Sequence, residues 1–305
     1  MTTVTVVVPA HNHADYLGQA IESVLAQTYP DVELIVLDDG STDETRDVLS
    51  RFRGRFHFES HPNMGQSATL NKGWAMARGE ILGYLSADDV LYPQCVRRAV
   101  QTLQEDSAVV VSYCDFEKID QRSARLGIVR TPEWRYADLV LEGECPPGPG
   151  AFFRRAAYLV TGGWNPAFRR VPDFEFWLRM GLQGEFRRIP EILAGYRVHD
   201  SAQSFSTAHP DRADEMISAL EQFFLRSDLP PNIRSGARRA KANALLHSAR
   251  LHMYSGRVST GWARTTSALA TDPSVVLQLR TYRRVFGGLL KAPGRGILWR
   301  LRTRH

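Results

Sequence analysis

Apolar and polar positions alternate in blocks along the first 90 residues, and these blocks predict strands and helices in turn. Runs rich in β-branched and aromatic residues at 4–8, 32–37, 55–59 and 80–86 predict buried strands. The segments between the strands have helical periodicity, and the clearest apolar face comprises Leu17, Ala20, Ile21, Val24 and Leu25. This strand–helix order predicts an α/β fold with a mostly parallel sheet flanked by helices.

The remainder of the chain predicts two further regions. A strand at 108–116 precedes an irregular segment from Glu117 to Gly150, a helix after Pro172 and two short strands within 185–199. From about Ala208 the sequence is helical and rich in Ala, Leu and Arg. We therefore expect an α/β domain over 1–205, with halves at about 1–115 and 116–205, and a helical, basic C-terminal extension over 206–305.

Polar side chains follow three of the predicted strands, at the point where each strand ends. They are His11 and Asn12, then Asp38 and Asp39, and finally Asp88 and Asp89. Ligands of open parallel sheets bind at the carboxyl ends of the strands, so these residues mark a candidate site. The chain lacks G-x-G-x-x-G after the first strand, and it also lacks the GxxxxGK[ST] phosphate loop.

The adjacent carboxylates Asp88 and Asp89 repel each other unless a cation, a proton or a ligand lies between them. Divalent ions such as Mg²⁺ and Mn²⁺ are often held by one or two carboxylates together with substrate phosphates. The pair therefore predicts a metal-assisted phosphate site.

The cysteine content indicates the cellular compartment that we expect for the protein. Cys95, Cys114 and Cys145 are widely spaced, which argues against a disulfide framework or a zinc site and favours a reducing, cytoplasmic location. The first residues lack the features of a signal peptide, and no apolar run approaches the roughly 18 residues of a membrane span.

Charge is unevenly distributed. Residues 1–200 carry 21 Lys and Arg against 27 Asp and Glu, whereas residues 201–305 carry 17 against 6. No acidic residue follows Asp272, and the segment 280–305 mixes Arg with large apolar residues. This pattern predicts peripheral contact with anionic membrane at the inner face. The alternatives are a solvated basic helix end and, with less support, nucleic acid.

Seven motifs occur in an order that resembles family 2 glycosyltransferases. In chain order they are VVVPAHN, VLDDGSTDET, NMGQSATLNKGWAMARGE, LSADDVLYP, GPGAFFRR, DFEFWLR and YRVHDSAQS. The resemblance extends from about Val4 to Ser204. It implies the GT-A (Rossmann-like) fold and an enzyme that transfers a sugar from a nucleoside diphosphate donor with inversion at the anomeric carbon.

The resemblance also implies roles for individual residues. Asp39 would accept a hydrogen bond from the nucleobase, with the N3–H of uracil expected and thymine or the N1–H of guanine also compatible. The rest of the implied nucleotide-binding set comprises Pro9, Ala10, His11, Asn12, Asn71 and Asp88.

The metal ligands and the general base are implied by further motifs of the resemblance. The resemblance implies that Asp89, with Asp88 and His199, binds Mn²⁺ or Mg²⁺, and that Asp173 is the general base. The chain departs from the family where Pro172 replaces a frequent Glu and where residue 86 is Ser instead of a carboxylate. We therefore rank Asp89 above Asp88 as the metal ligand.

These observations favour a metal-dependent, hexosyltransferase-like enzyme that uses a UDP-sugar and acts on a saccharide or lipid-linked saccharide in polysaccharide or glycolipid assembly of the cell envelope. A sugar-nucleotide pyrophosphorylase is an alternative, but the sequence PAHNHADYL replaces its Gly-rich turn. Another alternative is a non-catalytic protein with a degenerate site that binds nucleotide or recruits partners or membrane.

Overall fold

The computed structural model describes residues 1–199 and 209–277, which fall into two compact units. We call the first the sheet unit; it comprises Met1–Trp134, Pro146–Ala167 and Arg179–Asp200. The second, the helical unit, comprises Arg135–Cys145, Phe168–Leu178 and the C-terminal part from Ser201. The two units thus alternate along the chain.

All strands of the described residues belong to one sheet in the sheet unit. They are β1 (Val4–Ala10), β2 (Val32–Asp39), β3 (His57–His61), β4 (Ile81–Tyr84), β5 (Val90–Leu91), β6 (Val109–Ile119), β7 (Arg125–Val129), β8 (Phe152–Arg154) and β9 (Glu185–Arg197). The strand order is β3-β2-β1-β4-β8-β6-β9-β5, and β7 pairs with β6. β1 is parallel to β2 and β4, β2 is parallel to β3, and β6 is parallel to β9. The sheet is therefore mostly parallel, as the sequence predicts.

The described helices alternate with these strands and then dominate the C-terminal part. They are α1 (Ala14–Leu25), α2 (Thr45–Ser50), α3 (Gln66–Met76), α4 (Cys95–Glu105), α5 (Tyr136–Glu142), α6 (Arg155–Thr161), α7 (Pro172–Met180), α8 (Pro210–Ala213), α9 (Glu215–Phe224), α10 (Pro231–Arg234), α11 (Ala237–Tyr254) and α12 (Val258–Thr271). Four of the five residues of the apolar face predicted for α1 are buried, and the fifth, Leu25, is partly buried. Helix α3 lies so close to β1 that a Cβ at Gly73 would be only 2.4 Å from Val7 Cγ1.

The segment 117–150 differs from the prediction of an irregular region. Strand β6 continues to Ile119 and forms an antiparallel pair with β7, and α5 follows. The two short strands predicted within 185–199 are one continuous strand, β9. Its partner β6 pairs with it along most of its length, and this long-range pairing is invisible to local sequence patterns.

In the helical unit, α11 and α12 share a small apolar core that includes Leu246, Met253 and Ala268. A Cβ at Gly261 would lie 2.5 Å from Met253 Cγ, so the two helices approach closely there. None of the helices described is long and apolar enough to span a bilayer. The basic segment 280–305 lies outside the described residues.

Candidate active site

The loops that follow β1 and β2 are interlocked by hydrogen bonds. Asn12 has a φ of 56°, a left-handed conformation that Asn tolerates better than most residues. Its side-chain Oδ1 accepts the Thr42 N–H at 2.8 Å, and its own N–H donates to Ser41 Oγ at 2.9 Å. Pro9 and Ala10 are buried at the end of β1. Of the predicted nucleotide-binding positions, Pro9 and Ala10 therefore end β1, and Asn12 lies on the fixed turn that follows.

Asp39 is buried at the carboxyl end of β2 and organises the loop that precedes α3. Its Oδ1 accepts the Met64 N–H at 2.7 Å, and its Oδ2 accepts the Gly65 N–H at 2.9 Å. The Asp39 carbonyl oxygen lies 2.8 Å from Nδ1 of His11. Asp39 thus fixes the backbone around a predicted base-binding site, and its contact with the base stays a prediction.

The carboxylates of Asp88 and Asp89 have different surroundings. Asp89 is 5% exposed, and its Oδ1 accepts the backbone N–H of Arg197 at 2.8 Å. Burial, reinforced by the charge of Asp88, raises the pKa of Asp89 well above its ordinary value, although Arg197 acts in the opposite direction. Asp88 is more exposed, and its Oδ2 lies 3.0 Å from Nε2 of His199.

The side chain of Arg197 is the buried cation of this site, and the sequence analysis did not identify it. Arg197 is 1% exposed, and its Nε donates to the Asp88 carbonyl oxygen at 2.7 Å. Its Nη1 donates to the Asp120 carbonyl oxygen and its Nη2 to Gln19 Oε1, each at 2.8 Å. The guanidinium therefore joins the turn bearing the two carboxylates to β9, α1 and the turn between β6 and β7.

Tyr16 on α1 lies beside two basic residues, Arg197 at the end of β9 and His199 just after it. The guanidinium carbon of Arg197 is 4.9 Å from the centre of the Tyr16 ring, which is a cation–π contact. The Tyr16 and His199 ring centres are 5.0 Å apart. Within the motif YRVH, the backbone N–H of Arg197 thus contacts the carboxylate of Asp89, and the imidazole of His199 contacts that of Asp88.

The carboxylates of Asp88 and Asp89 are the type of ligand that Mg²⁺ and Mn²⁺ prefer, and His199 lies beside Asp88. Across residues 1–199 and 209–277, however, no three His, Cys, Asp or Glu side chains are grouped to hold a metal ion. The predicted ligands are therefore neighbours in the fold, and binding of a metal by them stays a prediction.

Asp173 lies in the first turn of α7, within the helical unit, and is partly buried. Its Oδ1 accepts the N–H of Phe174 at 2.8 Å. Burial raises the pKa of Asp173, against the effect of that hydrogen bond. Burial and the charge of Asp173 also raise the pKa of the Cys145 thiol. A carboxylate with a raised pKa is suited to accept a proton.

Asn71 on α3 has a structural contact that the sequence did not predict. Its Oδ1 accepts the Trp164 N–H at 2.8 Å, and its Nδ2 donates to the Trp164 carbonyl oxygen at 2.7 Å. A Cβ at Gly163 would lie 2.0 Å from Asn71 Oδ1, so only glycine fits there. The amide of Asn71 therefore clamps the loop after α6, and its predicted role toward the nucleotide is untested.

Comparison with known sequences locates this arrangement in a family. The profile described as Glycosyl transferase family 2 matches residues 5–158. An uncharacterized glycosyltransferase of Nostoc sp. is 31% identical over 227 residues, which cover 70% of each chain. A similar protein of Rickettsia typhi is 30% identical over 67% of this chain and 66% of its own length. Chondroitin synthase of Pasteurella multocida is 24% identical over 70% of this chain but only 22% of its own length.

Solved structures agree on the fold. The S. aureus TarS fragment 1–349 in complex with UDP-GlcNAc superposes with a TM-score of 0.65 at 16% identity, covering 90% of this chain and 92% of that one. The mannosyltransferase PcManGT of Pyrobaculum calidifontis, in complex with GDP-Man and Mn²⁺, superposes with a TM-score of 0.62 at 19% identity, covering 98% of this chain and 88% of that one. The GT-A fold expected from the motifs is confirmed, and the chain belongs to glycosyl transferase family 2.

Proposed function

We propose that this chain is an inverting glycosyltransferase that moves a sugar from a nucleoside diphosphate donor, with UDP expected, to a hydroxyl of a saccharide or lipid-linked saccharide. The observation that supports the proposal is that Asp39 ends β2 and that Asp88 and Asp89 follow β4, two strands parallel to β1, at the edge where parallel sheets bind ligands. Action in polysaccharide assembly is supported by the similarity to chondroitin synthase.

In this proposal Asp39 and the turn at Pro9 to Asn12 bind the nucleoside. Asp173 accepts the proton of the acceptor hydroxyl while that oxygen attacks the anomeric carbon from the face opposite the diphosphate. Asp88, Asp89 and His199 would hold Mn²⁺ or Mg²⁺, which when bound neutralises charge on the departing diphosphate.

The first test is calorimetric binding of UDP, GDP and dTDP, with and without Mn²⁺. We expect one nucleotide to bind tightly with Mn²⁺ and to lose affinity in Asp89→Ala and Asp88→Asn. The exposed carboxylate Asp47 gives the matched control, Asp47→Ala, which should bind as the wild type does. If the wild-type chain binds none of the three nucleotides, the proposed donor site is wrong.

The second test concerns chemistry. With saccharide and lipid-linked saccharide acceptors present, the wild-type chain should release nucleoside diphosphate from a donor panel that includes UDP-GlcNAc and GDP-mannose. Asp173→Asn should abolish this release while leaving nucleotide affinity unchanged, because a base acts on the acceptor. Full activity in Asp173→Asn would refute its role as the base. Pyrophosphate instead of nucleoside diphosphate as product would refute transfer altogether.

We also propose that the basic segment after Asp272 contacts anionic membrane from the cytoplasmic side, near a lipid-linked acceptor. Its support is the absence of acidic residues after Asp272. Flotation with vesicles containing phosphatidylglycerol should recover the full chain, whereas a truncation at Asp272 should stay behind. Equal recovery of both would contradict this proposal.

A further inference from the structure

One carboxylate from the C-terminal part of the chain is bonded to three consecutive backbone N–H groups. Oε2 of Glu215, the first residue of α9, accepts the N–H of Arg170 at 2.6 Å, that of Arg169 at 3.0 Å and that of Val171 at 3.3 Å. Glu215 is half-buried, and all four residues belong to the helical unit. The contacts span 44 to 46 residues of sequence, so they are tertiary and not part of a local turn.

The three N–H groups belong to the residues immediately before α7, which begins at Pro172, and none of them has an acceptor within the helix. The Val171 carbonyl oxygen accepts the Glu175 N–H at 3.1 Å, which is the first helical bond, and Pro172 has no N–H. N–H groups at a helix start need acceptors from elsewhere, and the partial positive charge of that helix end favours a carboxylate. Glu215 supplies both the acceptor and the charge.

The segment that Glu215 holds leads directly into Asp173. Asp173 follows Val171 by two residues, and its carboxylate is bonded to the N–H of Phe174, so its direction follows the local backbone. A general base must lie within hydrogen-bond reach of the proton that it accepts. A displacement of about 1 Å at a catalytic group can cost 100-fold in rate.

We propose that Glu215 is a positioning residue that fixes the backbone before Asp173 and thereby aligns this carboxylate for proton transfer. The inference rests on the proposed role of Asp173 as the base. It gives the region after residue 205 a part in the chemistry: α9 supplies the anchor of the segment that bears the base.

The test compares Glu215→Ala and Glu215→Gln with a matched control, Glu221→Gln. Glu221 lies on the same helix and pairs with Lys241 at 2.8 Å, on an exposed surface. Two quantities are measured on the full chain: hydrogen exchange of the amides at 169–171, and steady-state release of nucleoside diphosphate from UDP-GlcNAc or GDP-mannose in the presence of a saccharide or lipid-linked saccharide acceptor. Thermal unfolding is recorded for each variant.

In Glu215→Ala we expect exchange at 169–171 to accelerate at least tenfold and kcat to fall about 10- to 100-fold, while KM for the donor changes less than twofold. Glu215→Gln retains a carbonyl oxygen that accepts hydrogen bonds, so it should recover most of kcat. Glu221→Gln should behave as wild type in both measurements.

Unchanged exchange at 169–171 in both Glu215 variants would overturn the inference, and so would a wild-type kcat in Glu215→Ala. A purely structural role predicts a lower unfolding temperature and proportional losses in all parameters, and this pattern would also refute positioning. If Glu215→Ala does not fold, exchange at 169–171 in Glu215→Gln decides: faster exchange than in Glu221→Gln supports the inference, and equal exchange overturns it. Absence of turnover in the wild type would instead refute the proposed function, and the exchange data would still show whether Glu215 holds the segment.

Discussion

Replacing Arg197 by methionine should destabilise the sheet unit by about 3–5 kcal/mol, because it removes a buried guanidinium that donates to several acceptors. Methionine keeps the apolar stem of the side chain but removes the positive charge that lowers the pKa of the buried Asp89 carboxyl. The carbonyl oxygens of Asp88 and Asp120 and the Gln19 amide oxygen would also lose their donors. Each buried acceptor left unpaired costs about 1–3 kcal/mol. Because Arg197 is only 1% exposed, water cannot easily replace the guanidinium, and the upper part of the range is expected.

The assay is urea unfolding followed by tryptophan fluorescence, with Arg78→Met as the control. Arg78 also forms an ion pair, with Glu33 at 2.7 Å, but its side chain is 84% exposed. Such surface pairs contribute about 0–1 kcal/mol. Arg197→Lys should fall between the two variants, since an ammonium retains the charge but reaches fewer acceptors. A loss in Arg197→Met no larger than that in Arg78→Met would refute the reasoning.

Three other predictions follow from single contacts. Gly163→Ala should cost about 1–3 kcal/mol, because the new Cβ would overlap the Asn71 amide, whereas Gly127→Ala meets no atom within 4 Å and should change unfolding by less than about 0.5 kcal/mol. Asp39→Asn should lower the free energy of unfolding in urea by about 1–3 kcal/mol. Its amide NH₂ would face one of the two backbone N–H groups that donate hydrogen bonds to the carboxylate. Burial raises the folded-state pKa of Asp173, so the folded chain binds protons there more strongly than the unfolded chain does. The free energy of unfolding of the wild type relative to Asp173→Asn should therefore fall as pH rises above about 4. A constant difference in this free energy from about pH 3 to 8 would contradict the prediction.

The edge of the sheet that carries the candidate site could be predicted because its signals are local. Strand β2 is a short apolar run that ends in Asp38 and Asp39. The carboxyl ends of neighbouring parallel strands lie at the same edge of a sheet. Periodicity also identified the buried face of α1. Each of these features depends on residues within one helix or strand, where spacing alone determines which side chains share a face.

The contacts that hold the site together were not predictable in this way. Arg197 lies 108 residues from Asp89, and Glu215 lies 44 residues from Val171. An arginine in a strand and a glutamate at a helix start have many possible partners, and no sequence spacing selects among them. The strand β7 was missed for a similar reason. Among the strands that the structure describes it pairs with β6 alone, and it exposes Leu126 and Ile128, so its hydrophobic pattern is weak.

The adjacent carboxylates of Asp88 and Asp89 are therefore not equivalent, although the sequence presents them as a pair. Asp89 is buried and held by the N–H of Arg197, with the guanidinium of the same residue nearby, so part of its charge is offset from within the fold. Asp88 keeps more exposure and faces His199, a contact that depends on the protonation and orientation of the imidazole. Arg197 contacts both residues, through its N–H to the Asp89 carboxylate and through its guanidinium to the Asp88 carbonyl oxygen. The positive charge that this pair requires is thus supplied in part from within the fold, by Arg197.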